Sequence, residues 1–264
     1  MSDSPTRGAP AATPTELFDL GGKAALVTGG SRGLGREMAL AFAQLGADVM
    51  IASRKQDSCD QTAEEIRRAT GRRVIGRACH VGRWKDLDAL ADAAYAEFGA
   101  VDVLVNNAGM SPVYPSVDAV GEELWDKVLD VNLKGPFRLT ALVGTRMAQG
   151  RGGSIINVSS GAAARPTPDV IPYAAAKAGL EAMTIGFAHA FGPRVRVNAI
   201  QAGPFFTDIS KAWDMEAFQR LARERLALRR GGEPSEIVGA AVYLASRAAS
   251  FTTGAVLRVD GGSA

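Results

Sequence analysis

The stretch KAALVTGGSRGLGREMALAFAQLG, residues 23–46, runs from a short apolar strand through a glycine-rich turn straight into a helix. KAALVT (23–28) has strand character, and GREMALAFAQLG places its apolar residues at spacings of three and four, the period of one helix face. Glycine lets the chain turn tightly and lets backbone approach a ligand closely, while the N–H groups at the start of the helix attract an anion such as a pyrophosphate. The spacing is TGxxxGxG rather than GxGxxG, with Gly29, Gly33 and Gly35 as the glycines and Ser31, Arg32 and Leu34 completing the candidate loop. A glycine-rich turn alone can be a plain loop; its place between strand and helix points to dinucleotide binding.

The alternation continues to the C-terminus. DVMIAS (48–53), RVIGRAC (73–79), VDVLV (101–105), SIINVS (154–159), RVRVNAI (194–200) and AVLRV (255–259) read as further strands, separated by stretches of helical period. Such alternation implies right-handed β-α-β crossovers and a parallel sheet with helices on both faces. The expectation is α/β: a single doubly wound Rossmann domain over residues 15–264 with a seven-stranded parallel sheet. No solenoid repeat or Pro/Gly/Ser linker divides it. Residues 1–14, with prolines at 5, 10 and 14, read as a disordered tail without the apolar core of a signal peptide.

Composition excludes several classes. In 264 residues the apolar share is 47% and the charged share 22%, ordinary globular values. A net charge of +2 gives no electrostatic reason to expect nucleic acid or an anionic membrane as partner. Charges or glycines interrupt every apolar run before the ~20 residues that a membrane span needs. The two cysteines, Cys59 and Cys79, form no CxxC or Cys/His cluster, which suits a reducing cytoplasm and no metal site.

At the end of the second strand, an acidic residue would hold the ribose 2′-hydroxyl of NAD. Here the chain reads Ala52-Ser53-Arg54. A carboxylate would repel a 2′-phosphate, whereas Ser53 donates a hydrogen bond and Arg54 a charge-assisted one, with Arg32 as a second side of the pocket. NADP(H) is therefore favoured over NAD(H).

The segment IPYAAAKAGL (171–180) places Tyr173 and Lys177 one turn apart on one helix face. Taken with TGGSRGLG, NNAG (106–109), VNLKG (131–135), NVSS (157–160), YAAAK (173–177) and NAIQAGPFFT (198–207) in that order, the chain resembles the short-chain dehydrogenase/reductase family over residues 17–264. The likeness is general to 3-oxoacyl-acyl-carrier-protein reductases, gluconate 5-dehydrogenases and secondary-metabolite ketoreductases.

The resemblance implies an oxidoreductase interconverting a carbonyl and a secondary alcohol. It assigns Tyr173 as general acid/base and Lys177 as the cation that favours its phenolate and binds the nicotinamide ribose. Ser160, thirteen residues before Tyr173, is chosen over Ser159 to polarise the substrate oxygen, and Asn132 to hold a water in a proton relay. It places Asn106, Ala108 and Gly109 in a turn that flanks the adenosine half of the cofactor and braces the sheet, with bracing weighed above binding, and Gly203 and Thr207 at the nicotinamide end. A homotetramer is implied, with a dimer next.

Two departures stand out. Ala202 replaces the usual proline before Gly203, which suggests a less rigid loop. Ala78-Cys79-His80-Val81 lacks the family's aspartate, so His80 reads either as a neutral acceptor at the adenine edge, with Val81 beside it, or as a surface histidine. Residues 205–230 sit where the family has its substrate lid; Phe205, Phe206, Trp213, Met215 and Phe218, with Tyr114 and residues 164–171, are expected pocket walls. A catalytically silent NADP-binding sensor or structural subunit is the rival reading, which a damaged Ser/Tyr/Lys set would have favoured.

Overall fold

A computed structural model of the protein describes residues 13–207, 210 and 214–263; the rest of the expected tail, residues 1–12, and the expected pocket wall Trp213 lie outside the described residues. The chain enters through a short turn, α1 (Pro14–Leu17), whose first free N–H groups are met by the Thr13 hydroxyl in a capping box with Glu16. Thr13 and Pro14, placed in the tail from their composition, thus belong to an ordered turn.

From there strands and helices alternate: β1 (Ala24–Thr28), α2 (Gly33–Gln44), β2 (Asp48–Ser53), α3 (Gln56–Thr70), β3 (Val74–Ala78), α4 (Trp84–Phe98) and β4 (Val103–Asn106). The second half follows with α5 (Glu122–Leu129), a π-helical turn (Asp130–Lys134), α6 (Gly135–Gln149), β5 (Gly153–Ser160), α7 (Ile171–Phe191), β6 (Val195–Ala202), α8 (Met215–Arg225), α9 (Val238–Ala245) and β7 (Val256–Val259). The seven strands form one parallel sheet in the order β3-β2-β1-β4-β5-β6-β7.

Strands buried on both faces need apolar side chains on both, and all five residues of β1 are buried. One core gathers Val27, Ile51, Phe42, Ile156 and Leu244 under α2 and α9; the other gathers Leu26, Met50, Leu104, Leu90 and Val143 under α4 and α6. The strand order reverses between β1 and β4, so the chain diverges there and leaves a crevice at the carboxyl ends of the strands, where ligands of such sheets sit.

The expected strands all form, with ends displaced by at most two residues. The informative shift is in β6. Ala202, expected to loosen a loop, is buried and pairs in register with Ser160 and with Val259. A proline there would lack the N–H of a ladder residue, so the alanine lets the strand run on.

A buried polar chain locks the centre of the sheet to the helices. The Asn106 amide donates to Thr140 Oγ1 and Asn157 Oδ1, each at 2.8 Å, and the Asn157 amide donates to Thr184 Oγ1 at 2.9 Å. Thr184 closes the chain by donating to the Leu180 carbonyl at 2.8 Å. All four side chains are at most 3% exposed, so none has water as a substitute partner. No helix of the described residues is long and apolar enough to cross a membrane.

Replacing Asn157 by Ala orphans an amide hydrogen of Asn106 and leaves a small cavity, and is expected to cost about 3 kcal/mol. The urea midpoint should fall at unchanged m-value. An unmoved midpoint would overturn the assignment of this network as a stabilising element.

Candidate active site and cofactor cleft

The glycine loop is held in place from both sides of the crevice. From β2, the Ala52 carbonyl accepts the N–H groups of Gly29 (2.7 Å) and Gly30 (3.3 Å). From the turn after β4, the Asn107 side-chain amide donates to the carbonyls of Thr28 (3.0 Å) and Gly29 (3.2 Å). The Thr28 hydroxyl donates to Val105 O and accepts from the N–H groups of Asn107 and Ala108. Gly29 has φ +65°, and a Cβ on Gly35 would stand 2.3 Å from the Gly29 carbonyl oxygen. Neither position tolerates a side chain.

The residues present fit a dinucleotide. The N-cap of α2 is Arg32, whose side chain makes no capping bond, so the first N–H groups of the helix point into the crevice uncapped. Leu34 packs against the core beneath. Ser31 is tied to α3 by the Thr62 hydroxyl, which donates to its carbonyl at 3.1 Å. At the end of β2, Ser53 Oγ lies 3.1 Å from Cys59 Sγ, and Arg54 is exposed with no ion pair among the described residues. On the far side Thr207 approaches Gly33, whose added Cβ would lie 3.5 Å from Thr207 Cγ2. Gly203 is anchored to β7 by its N–H on Val259 O at 2.9 Å.

The candidate catalytic side chains come from β5 and α7, which pack against each other. Helical periodicity puts Tyr173 and Lys177 on one face, and alanines between them let that face come close to the strand. Lys177 is 3% exposed; its Nζ donates to the Val158 carbonyl at 2.7 Å and lies 5.6 Å from the centroid of the Tyr173 ring. The two serines at the strand end diverge. Ser159 Oγ, 2% exposed, turns inward and donates to Glu181 at 2.7 Å, whereas Ser160 stands on the open side and interacts with the Tyr173 phenol. Only Ser160 is placed to share a substrate with Tyr173.

Asn132 is fully buried in the π-helical turn. Its amide donates to the carbonyls of Met110 (2.8 Å) and Val128 (2.9 Å), and its Oδ1 accepts the Met110 N–H at 3.2 Å. Both amide hydrogens are therefore engaged with main chain, and the side chain mends the interrupted helix. The side chain still borders the site, since a Cβ on Gly109 would meet Asn132 Oδ1 at 2.9 Å and Lys177 Nζ at 3.6 Å.

Electrostatics in this pocket differ from the expectation that Lys177 simply lowers the tyrosine's pKa. Burial raises the pKa of Tyr173, and the Ser160 hydroxyl offsets that only in part. Burial pushes Lys177 down to about 8, with Glu181 acting in the opposite sense. The site of the cofactor-free chain resists charge of either sign.

On the adenosine side one expectation is sharpened and one changes. Asn106 is 3% exposed with both amide hydrogens bound in the interior, so its side chain is structural; its neighbour Asn107, which sequence reading passed over, braces the glycine loop instead. His80 Nδ1 already accepts the Gly82 N–H at 3.2 Å. In the neutral ring that leaves the proton on Nε2, so the remaining ring nitrogen of His80 is a donor and not the acceptor expected. Val81 is buried, with its carbonyl pressed against Gly135.

The substrate side is walled by two loops that Tyr114 fastens together. Its hydroxyl donates to Pro168 O (2.7 Å) and accepts the Ile171 N–H (2.9 Å), capping the first turn of α7 two residues before Tyr173. Phe205, expected as a pocket wall, is 7% exposed and belongs to the core. Phe206 and Phe218 meet edge to face at 5.7 Å, and Met215 is exposed at the start of α8.

The buried lysine carries a measurable penalty. Between about pH 8 and 10.5 the unfolded chain holds a proton that the folded one has released, so stability rises with pH across that window; below it, folding bears the full cost of the buried charge. That cost is about 3 kcal/mol, partly offset by the bond to Val158 that a replacement would lose. Lys177→Met is expected to raise Tm at pH 7 by roughly 2–4 °C. The gain should shrink towards pH 10, and a lowered Tm at pH 7 would contradict it.

The family model described as enoyl-(acyl carrier protein) reductase matches residues 29–264. Human dehydrogenase/reductase SDR family member 4 is 38% identical over 251 residues, covering 94% of this chain and 90% of the human protein. A 7α-hydroxysteroid dehydrogenase complexed with NADH and 7-oxo glycochenodeoxycholic acid superposes with a TM-score of 0.90 at 31% identity, over 96% of this chain and 98% of the other. A gluconate 5-dehydrogenase from Burkholderia cenocepacia J2315, in complex with NADP and tartrate, gives 0.89 at 33%, over 95% and 98%. A glycine loop at the switch point, Ser160, Tyr173 and Lys177 around one opening, and likeness along nearly the whole chain have a common explanation: the chain belongs to the short-chain dehydrogenase/reductase family of oxidoreductases.

Proposed function

We propose that the protein is an NADP(H)-dependent oxidoreductase that interconverts a ketone and a secondary alcohol of a small molecule, with Tyr173 as general acid/base. The observation that carries this reading is the convergence of Tyr173, Ser160 and Lys177 at the carboxyl end of β5, on the opening that the uncapped start of α2 also borders.

A nicotinamide cofactor, when bound, supplies or takes the hydride. The chain's own residues handle the proton and the geometry. In reduction, Ser160 donates a hydrogen bond to the carbonyl oxygen and Tyr173 transfers its phenolic proton to that oxygen. Lys177, fixed by Val158 O, offers its remaining N–H groups towards Tyr173 and a ribose, and its charge stabilises the phenolate left behind. In oxidation the same groups act in reverse.

Preference for the phosphorylated cofactor rests on the absence of a carboxylate at Ser53 and on Arg54 and Arg32 at the rim. Relatives alone do not decide it, since one similar structure carries NADH and another NADP.

Two measurements test the reading. Tyr173→Phe should abolish ketone-dependent oxidation of NADPH at 340 nm, across ketones, diketones, oxoacyl thioesters and keto-sugars, with cofactor binding retained; full activity would overturn the role of Tyr173. Arg54→Glu should lower kcat/KM for NADPH by roughly ten- to a hundredfold, the worth of one charge-assisted hydrogen bond, with NADH nearly unaffected. An equal loss with both cofactors would defeat the preference for NADP(H).

A further inference from the structure

Behind Lys177, on the side away from the opening, the chain places a carboxylate that the roles assigned above leave unused. Glu181 lies one turn after Lys177 on α7. Its Oε1 accepts the Ser159 hydroxyl at 2.7 Å and the Gln201 side-chain amide at 2.9 Å. Ser159 also lies 3.5 Å from the Lys177 carbonyl. The three residues come from β5, α7 and β6, and Ser159 and Gln201 are 2% and 3% exposed.

The orientation of Gln201 is set by this partner. Its Oε1 is buried and has no hydrogen-bond partner, while its Nε2 is committed to Glu181. Turning the amide over would set its oxygen against the same Glu181 oxygen that accepts the Ser159 hydroxyl, so Gln201 stands as a donor to that side chain. A carboxylate fixed in this way, half-buried and one helical turn from Lys177, acts on that buried cation.

We infer that Glu181 is a positioning residue for the reaction: held by Ser159 and Gln201, its carboxylate keeps the charge on Lys177 at working pH. The inference rests on the proposed roles of Tyr173 and Lys177. Glu181 opposes the loss of charge that burial imposes on Lys177. Other charged groups around α7 are engaged elsewhere or exposed. Asp130 pairs with Lys134, Arg138 with Asp88, Arg146 with Asp92, and Arg165 with Asp260. Arg196 on β6 donates to the carbonyls of Leu244 and Ser246. Asp126 and Lys127 on α5, Asp169 before α7 and His189 at its end are exposed. The remaining titratable neighbour is Tyr173 itself, whose ring faces the ammonium.

Glu181→Gln tests this, because the amide oxygen still accepts from Ser159 and Gln201 while the charge is gone. In ketone reduction the alkaline limb of the kcat profile should move about one unit to lower pH, giving about a tenfold loss above the limb and no change in KM for the ketone, which Glu181 does not touch. Independently of turnover, the ¹³Cε resonance of Lys177 in cofactor-free protein, assigned with Lys177→Met, should titrate at lower pH in Glu181→Gln. Should that variant not fold, Glu181→Asp, with the carboxylate drawn back by one methylene, decides the matter by a smaller shift in the same direction. A limb and a lysine titration that stay in place, or move to higher pH, overturn the inference and leave the three residues as a structural tie. If Tyr173→Phe is inactive while the limb of Glu181→Gln does not move, this inference alone falls; if Tyr173→Phe is fully active, the underlying assignment falls with it.

Discussion

A buried ammonium on the carbonyl of Val158 ties α7 to β5, and the candidate catalytic atoms take their places from that bond. Lys177 is 3% exposed and donates at 2.7 Å to the strand residue two positions before Ser160. With the helix pinned at that point, the next turn towards its N-terminus brings Tyr173 to the Ser160 side of the strand. The alanines between them keep the approach close, and Tyr114 fixes the free end of the helix from the loop opposite. A charged group in the interior is an expensive way to join a helix to a strand, since leucine or methionine would pack there without desolvating a charge. Its presence beside the tyrosine proposed to transfer a proton is what a functional constraint looks like when it opposes stability.

The same opposition shapes the other half of the crevice. The loop between β1 and α2 leaves N–H groups without side-chain caps and adopts a glycine-only backbone, both unfavourable for the chain alone. It is held there by Asn107 and Thr28 from one side and by the Ala52 carbonyl from the other. Rigid strands thus present an anion-binding surface whose partner is external to the fold.

The fold, and the meeting of Tyr173 and Lys177 on one helix face, were legible because each is written in local pattern. Seven apolar runs alternating with helical period dictate the sheet, and a Tyr-Lys pair at i and i+4 needs only the helix to bring it onto one face. Legibility ended where function depends on which way a side chain turns. Asn106 and Asn107 are chemically identical neighbours, and only strand pleating sends the first into the interior and the second to the glycine loop. His80 looked like an acceptor until the turn after β3 brought the Gly82 N–H to its Nδ1. Ala202 read as a loosened loop because the sequence does not show the strands on either side that it pairs with. The Phe205 ring had the right composition for a pocket wall, and its bridge to Gly232 draws it into the core instead.

Under the role proposed for Tyr173, the electrostatics of the pocket bear on the direction in which proton transfer is easy. With the pKa of Tyr173 raised by burial, the phenol is protonated at neutral pH, which is the state that gives a proton to a carbonyl oxygen. Taking a proton from an alcohol requires the phenolate, which burial disfavours and which a charged Lys177 is needed to offset. That lysine itself loses its charge near pH 8, so raising the pH favours deprotonation of Tyr173 while removing the cation that stabilises the result. The two titrations therefore oppose each other on the alkaline side, and the range over which oxidation proceeds is bounded by how long Lys177 keeps its proton. Reduction begins from the protonated phenol and meets no such conflict until the phenolate forms, so the chain's own residues are poised for proton donation in advance of any cofactor.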